Sequence, residues 1–168
     1  MKAKAIILFL LFMFLQIMSY VEPEPIVNVI ADRTISLDAR YPNSSVNKVF
    51  KDNILLSVSY LFEKVTEKED ISWNEIEKPF SYRFTLSPTE TFAFHKDVLE
   101  KYKNSVVKTT NANFNYGDGF KSSGYLFGDG VCHLASLIYW VAKEANLDSY
   151  APTNHNFAVI PQIPKDFG

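Results

Sequence analysis

The pattern of the chain predicts a single α+β domain in which two principal helices, at about 46–61 and 133–146, pack on a small, mostly antiparallel sheet. Three observations carry this. Apolar residues recur at helical spacing in two separate stretches: Val46, Phe50, Ile54, Val58 and Leu61 in one, Leu134, Leu137, Ile138, Val141, Ala142 and Ala145 in the other. Between and around them lie short runs in which apolar residues alternate with polar ones, the period of half-buried strands. A length of 168 residues, 47% hydrophobic and 15% aromatic, suffices for one core and not comfortably for two.

The elements follow in order. Lys2 and Lys4 precede AIILFLLFMFLQIM at 5–18, a run shorter than the ~20 residues of a bilayer span and suited to the core of a signal peptide. Extended through Ser19, Tyr20 and Val21, it serves instead as an uncleaved anchor. Residues 1–20 are therefore expected to be a signal peptide or an N-terminal membrane anchor, with the positive end inside and the rest exported. Residues 21–29 form a proline-spaced, acidic tether, and the domain proper is expected over 30–168.

Residues 30–37 alternate loosely and suggest a first strand. RYPNSS at 40–45 is turn chemistry: Pro42 sets the turn, and Asn43 to Ser45 supply N-cap oxygens for the helix that follows. A polar connection at 64–70 leads to a short helical turn within 73–79. FSYRFTL at 80–86 reads as a strand, and Ser87-Pro88-Thr89-Glu90 turns the chain into a second short strand at 91–94. One or two helical turns fall within 97–102. Residues 111–124, rich in Asn, Gly and Ser, read as a long surface loop. After the helix at 133–146, which Asn146 caps, residues 156–163 read as a strand.

Charge excludes one class of function. The net charge is −2 and the basic residues are scattered, so nothing marks a nucleic-acid partner. The dense charge cluster at 63–70 mixes both signs and reads as a solvated surface.

The chemistry-bearing feature is GDGVCHLASLIYW, with the chain's one cysteine, Cys132, at a helix start behind Gly128 and Gly130. Outside the cytoplasm a single thiol has no partner in its own chain; it is buried and inert, joined to another molecule, or reactive. At a helix N-terminus, unpaired N–H groups favour thiolate and can hold an oxyanion, and the glycines let a substrate approach the backbone. The opposing reading is a tight packing corner, with His133 a satisfied core or surface histidine and His95 a surface one. A second candidate is the loop at 113–127, where Tyr116, Phe120 and Tyr125 stand among Asn, Gly and Ser. Stacking rings with adaptable polar neighbours suit sugar or peptide surfaces, although core aromatics are commoner. With Gly128, Asp129, Gly130 and His133 they make up the candidate binding residues.

Three stretches carry a resemblance. ISLDARYPNSSVNKVFKDNILLSVSYL, including Asn53-Ile54, resembles the opening strand, turn and helix of the VanW family of cell-envelope proteins. LSPTETFAF is similar to that family's P-G-E-x-F-S-F turn and strand, with Thr89 in place of the glycine. GDGVCHLASLIY is similar to its glycine–cysteine–helix signature at Gly128, Gly130, Cys132 and Tyr139, with Asp129 replacing a glycine and His133 a glutamine. His155 stands where the family carries a histidine. The resemblance covers about residue 35 to the C-terminus and implies an exported envelope domain with no known cofactor, C-terminally incomplete in this sequence.

Two functions follow. The first is an envelope accessory domain that binds cell-wall peptidoglycan or an envelope protein partner. The second is a thiol-dependent amidase or transpeptidase acting on stem peptides, with Cys132 as nucleophile and His155 as base; that arrangement is analogous to papain-like and NlpC/P60-like enzymes. A metal shared by Cys132, His133 and His155 is disfavoured, because adjacent ligands are poorly spaced and no fourth is evident. Neither cofactor nor metal is expected.

Overall fold

The computed structural model describes residues 28–124, 127–153 and 159–168. The expected signal peptide or anchor, most of the tether, Tyr125 and His155 lie outside the described residues.

Helix α1, Ser44–Leu61, starts where the turn chemistry places it. Asn43 stays extended, and its side-chain oxygen accepts from the N–H groups of Ser45 at 3.0 Å and Val46 at 3.2 Å, two donors that have no partner inside a helix. Helix α2, Trp73–Ile76, is a single turn. Helix α3 runs over Val131–Glu144. Both long helices end on a left-handed residue with paired closing bonds. After α1, Glu63 (φ 59°) donates to Tyr60 O and Lys64 to Ser59 O; after α3, Asn146 (φ 57°) donates to Lys143 O and Leu147 to Ala142 O. Asparagine tolerates that conformation; glutamate is a costlier occupant.

The buried face of α1 keeps Ile54 and Leu61 of the expected stripe, each 4% exposed, but is wider than expected and partly polar. Asn53, Leu56 and Ser57 are fully buried and Tyr60 nearly so, whereas Val46, Phe50 and Val58 are half-buried. The two serines turn inward because each finds a partner on its own helix: Ser57 Oγ donates to Asn53 O, and Ser59 Oγ to Leu55 O. Leu56, Tyr60, Val65, Ile76, Phe120 and Val131 meet in the core.

The mostly antiparallel sheet is not what the chain builds. Among the described residues the sheet has two strands, β1 Thr91–Ala93 and β2 Val106–Thr109, and they pair in parallel. Thr91 faces Val106, Phe92 faces Lys108 and Ala93 faces Thr109, with an irregularity after Thr91. The intervening residues, which include a three-ten turn at Glu100–Tyr102, carry the chain back to the same end, as parallel pairing requires.

Two other expected strands are absent. Residues 30–37 join no ladder; a three-ten turn forms at Leu37–Ala39, and Ser36 gives its N–H to Gln162 Oε1 and its carbonyl to the Arg40 guanidinium. Residues 80–86 alternate as expected but satisfy that pattern through rings alone. Tyr82 stacks on Phe62 at 4.6 Å, and Phe84 meets Phe92 at 5.5 Å. The strand expected at 156–163 falls partly outside the described residues, and 159–163 is irregular, with a turn.

Buried polar groups tie the ends together. Arg40, 1% exposed, donates to the carbonyls of Ser36 and Pro161 and to Gln162 Oε1. Asn47 Oδ1 accepts from the N–H groups of Arg40 and Tyr41. Each is a donor–acceptor match of the kind burial demands.

Candidate functional site

The glycine–cysteine corner is built around Asn53. Its Nδ2 donates to Lys121 O at 3.0 Å and to Asp129 O at 2.9 Å, and its Oδ1 accepts from Lys121 N at 2.9 Å. One buried side chain thus fastens both stems of the 121–130 loop to α1. Gly128 N–H donates to Lys121 O, and an antiparallel bridge joins Ser122 to Phe127. Asp129 Oδ2 accepts from both the N–H and the Oγ of Ser123, each at 2.7 Å. Asp52, also buried, takes Lys121 Nζ at 2.6 Å and Lys48 Nζ at 3.0 Å, and the Lys121 ammonium lies 3.6 Å from the Trp73 ring centroid.

The glycines are explained by close packing where a side chain would stand. A Cβ on Gly130 (φ 95°) would lie 2.7 Å from both Cα and O of Phe50, and one on Gly128 (φ 82°) would lie 2.9 Å from Phe114 O. Their neighbour is the chain's own backbone. They are small because α1 and the loop at 114 press against the corner.

Cys132 is the second residue of α3 and is exposed. Its electrostatic setting differs from the one expected of a nucleophile. Partial loss of water around the sulfur pushes the thiol pKa up and the Asp129 carboxylate adds to the rise, against an opposing backbone hydrogen bond at Cys132 itself. An activated thiol is shifted the other way. His133 turns inward: it is buried and packs edge-on to Phe50, with centroids 5.1 Å apart. His95 Nδ1 accepts from the Asp97 N–H, and its ring packs edge-on to Phe114. Among the described residues no group of three or more His, Cys, Asp or Glu is placed to hold a metal ion.

The three loop aromatics part company. Phe120, expected to contact a ligand, is 1% exposed and lies between Tyr60 and Phe114; it is a core residue. Tyr125 lies outside the described residues. Tyr116 is 65% exposed and pairs with Phe127, 51% exposed, at 5.7 Å. Lys68 Nζ sits 3.6 Å from the Tyr116 ring centroid, a cation–π contact.

The base of this pair is firm. Tyr116 opens a three-ten turn, Tyr116–Asp118, whose cap residue Asn115 accepts from Asp118 N through its side chain. Asp118 Oδ2 takes Asn113 N at 2.7 Å, and Tyr60 Oη donates to Asp118 O at 3.0 Å. Burial of the Tyr60 hydroxyl, aided by Asp118 and the acidic 67–70 segment, pushes its pKa to about 12.

Compared with protein-family models, curated proteins and solved structures, the chain finds no match. The likeness to VanW proteins therefore rests on the three sequence stretches alone.

Phe127 and Lys68 were missed as candidates. Phe127 closes the aromatic loop and differs from Phe120 only in which way the turn points it. Lys68 was submerged in a charge cluster whose mixed signs read as solvent-facing. Asn53 carried a signal, because a lone asparagine among the apolar residues of a helix needs buried partners. A cleft of about 350 Å³ lined by Tyr60, Glu63, Val65, Lys108 and Asn111, among others, is a weaker candidate. Its Lys108 and Glu63 pair with each other at 2.8 Å.

Proposed function

We propose that the chain is an exported, membrane-proximal module of the cell envelope, akin to VanW proteins, that binds cell-wall material through Tyr116 and Phe127. One observation carries the reading: two exposed rings stand side by side on a loop system whose stems are hydrogen-bonded to a fully buried asparagine. Exposed aromatics cost solvation unless something covers them, and a rigid base means little order is lost when they are covered. The apolar N-terminal run supports export. The raised thiol weighs against Cys132 as a nucleophile, so the amidase reading takes second place.

The test is cosedimentation of the full chain with purified peptidoglycan sacculi. At about 1 kcal/mol per stacked ring, Tyr116→Ala with Phe127→Ala weakens binding about 30-fold, while Cys132→Ser leaves it unchanged. Both rings are on the surface, so the double variant keeps its fold, which circular dichroism verifies. Failure of the wild-type chain to pellet with sacculi, or equal pelleting by the double variant, overturns the reading.

A further inference from the structure

The cleft of about 350 Å³ beside Tyr60 runs along the second edge of β2. The strand pairs with β1 on one edge only, and among the described residues its backbone makes no hydrogen bond outside that pairing. Val107, Lys108 and Thr109 line the cleft on this side, and Glu63, Val65 and Thr66 line it on the other. A space over the face of a strand meets every second residue, because successive side chains point to opposite faces. This one meets three in a row, so it lies against the edge. The strand has four residues and is about 13 Å long. Val107 is 52% exposed, and Lys108 Nζ reaches across to Glu63 Oε1 at 2.8 Å.

We infer that this groove takes one extended segment of a partner protein, added to β2 as a third strand. An open strand edge offers N–H and C=O groups at the strand repeat, and what matches them group for group is another extended main chain. The width of the groove selects a lone segment. Its walls are close enough to be joined by an ion pair, so residues 63–66 stand where the rest of a folded sheet would have to pass. Lysine on an edge strand ordinarily deters such pairing, but here Glu63 offsets the Lys108 charge. Val107 offers apolar contact, and the Lys108–Glu63 pair a polar one, to the side chains of the added segment. The inference is independent of what Tyr116 and Phe127 bind. A second copy of the chain, or another part of the same chain, is the competing cover for the edge.

The experiment selects displayed random octapeptides on the full chain, then makes an enriched peptide in two N-methylated series, one at its odd amides and one at its even amides. An added strand bonds to the edge through every second residue. One series therefore loses affinity about tenfold or more, through two or more lost hydrogen bonds, while the other stays within about twofold. Hydrogen exchange at 106–109 slows when the unmodified peptide binds. Equal losses in both series mean recognition by side chains alone and overturn the inference, as does enrichment of no peptide. Exchange at 106–109 unmoved by the peptide overturns it too. Amides already fully protected in the free chain then mark cover by a second copy or by another part of this chain, and unprotected ones mark a peptide bound elsewhere.

Discussion

Thr89→Gly is expected to stabilise the protein. Thr89 has φ 76° and follows Pro88, and the N–H of Glu90 donates to Ser87 O at 3.0 Å. This is the pattern of a type II turn, whose third residue needs the left-handed region that glycine occupies freely. A β-branched residue there brings its Cβ against the following carbonyl, at about 1–2 kcal/mol. Glycine removes that cost but makes the unfolded chain more flexible, which takes back about 0.5–1 kcal/mol. The net gain is about 0.5–1 kcal/mol. Thr89 is exposed and Glu90 Oε2 caps Ser87 N from its own position, so the substitution removes no core contact and leaves that cap in place.

Urea unfolding measures the gain directly, and thermal unfolding shows it as a rise in Tm of about 2–3 °C. Thr89→Ala is the control, since it keeps the Cβ and hence the strain. If Thr89→Gly is neutral or destabilising, or if Thr89→Ala gains as much, strain at this turn is not the cause.

Asn53→Ala strands Lys121 N–H and the Asp129 carbonyl and leaves the Lys121 carbonyl with Gly128 N–H alone; at about 1 kcal/mol for each of the lost bonds it costs about 3 kcal/mol in urea unfolding and weakens sacculus binding by loosening the loop. Gly130→Ala drives a Cβ to 2.7 Å from Phe50 Cα and O at φ 95°, so it should cost about 2–3 kcal/mol or more, and a neutral result would mean the corner is looser than its geometry. Iodoacetamide labelling of Cys132 should rise with pH through a midpoint above the usual ~8.5, because a raised pKa keeps the thiol neutral until higher pH; a midpoint near 7 would favour the amidase. Tyr60 ionises in the unfolded chain near 10 and in the folded one near 12. Its contribution is thus complete below pH 10 and lost as pH climbs to 12, about 2–3 kcal/mol in all, and Tyr60→Phe should flatten that part of the alkaline unfolding curve.

What could be read in advance was chemistry that acts within a few residues. The Asn43 cap, the asparagine closing α3 and the turn at 87–90 each depend on one side chain and its immediate backbone. What could not be read was any feature decided by a distant partner. Residues 80–86 alternate as a strand does, but alternation specifies a face and not a ladder, and stacking on Phe62 and Phe92 satisfies the face alone. The parallel pairing of β1 and β2 depends on the path of the connection, which leaves no periodic mark. Asn53 faces inward beside Ile54 while Phe50 and Val58 stay partly outward, because three hydrogen bonds hold that asparagine to the loop. Phe120 and Phe127 are chemically the same, yet one is 1% and the other 51% exposed, a difference set by the path of the loop and not by residue type.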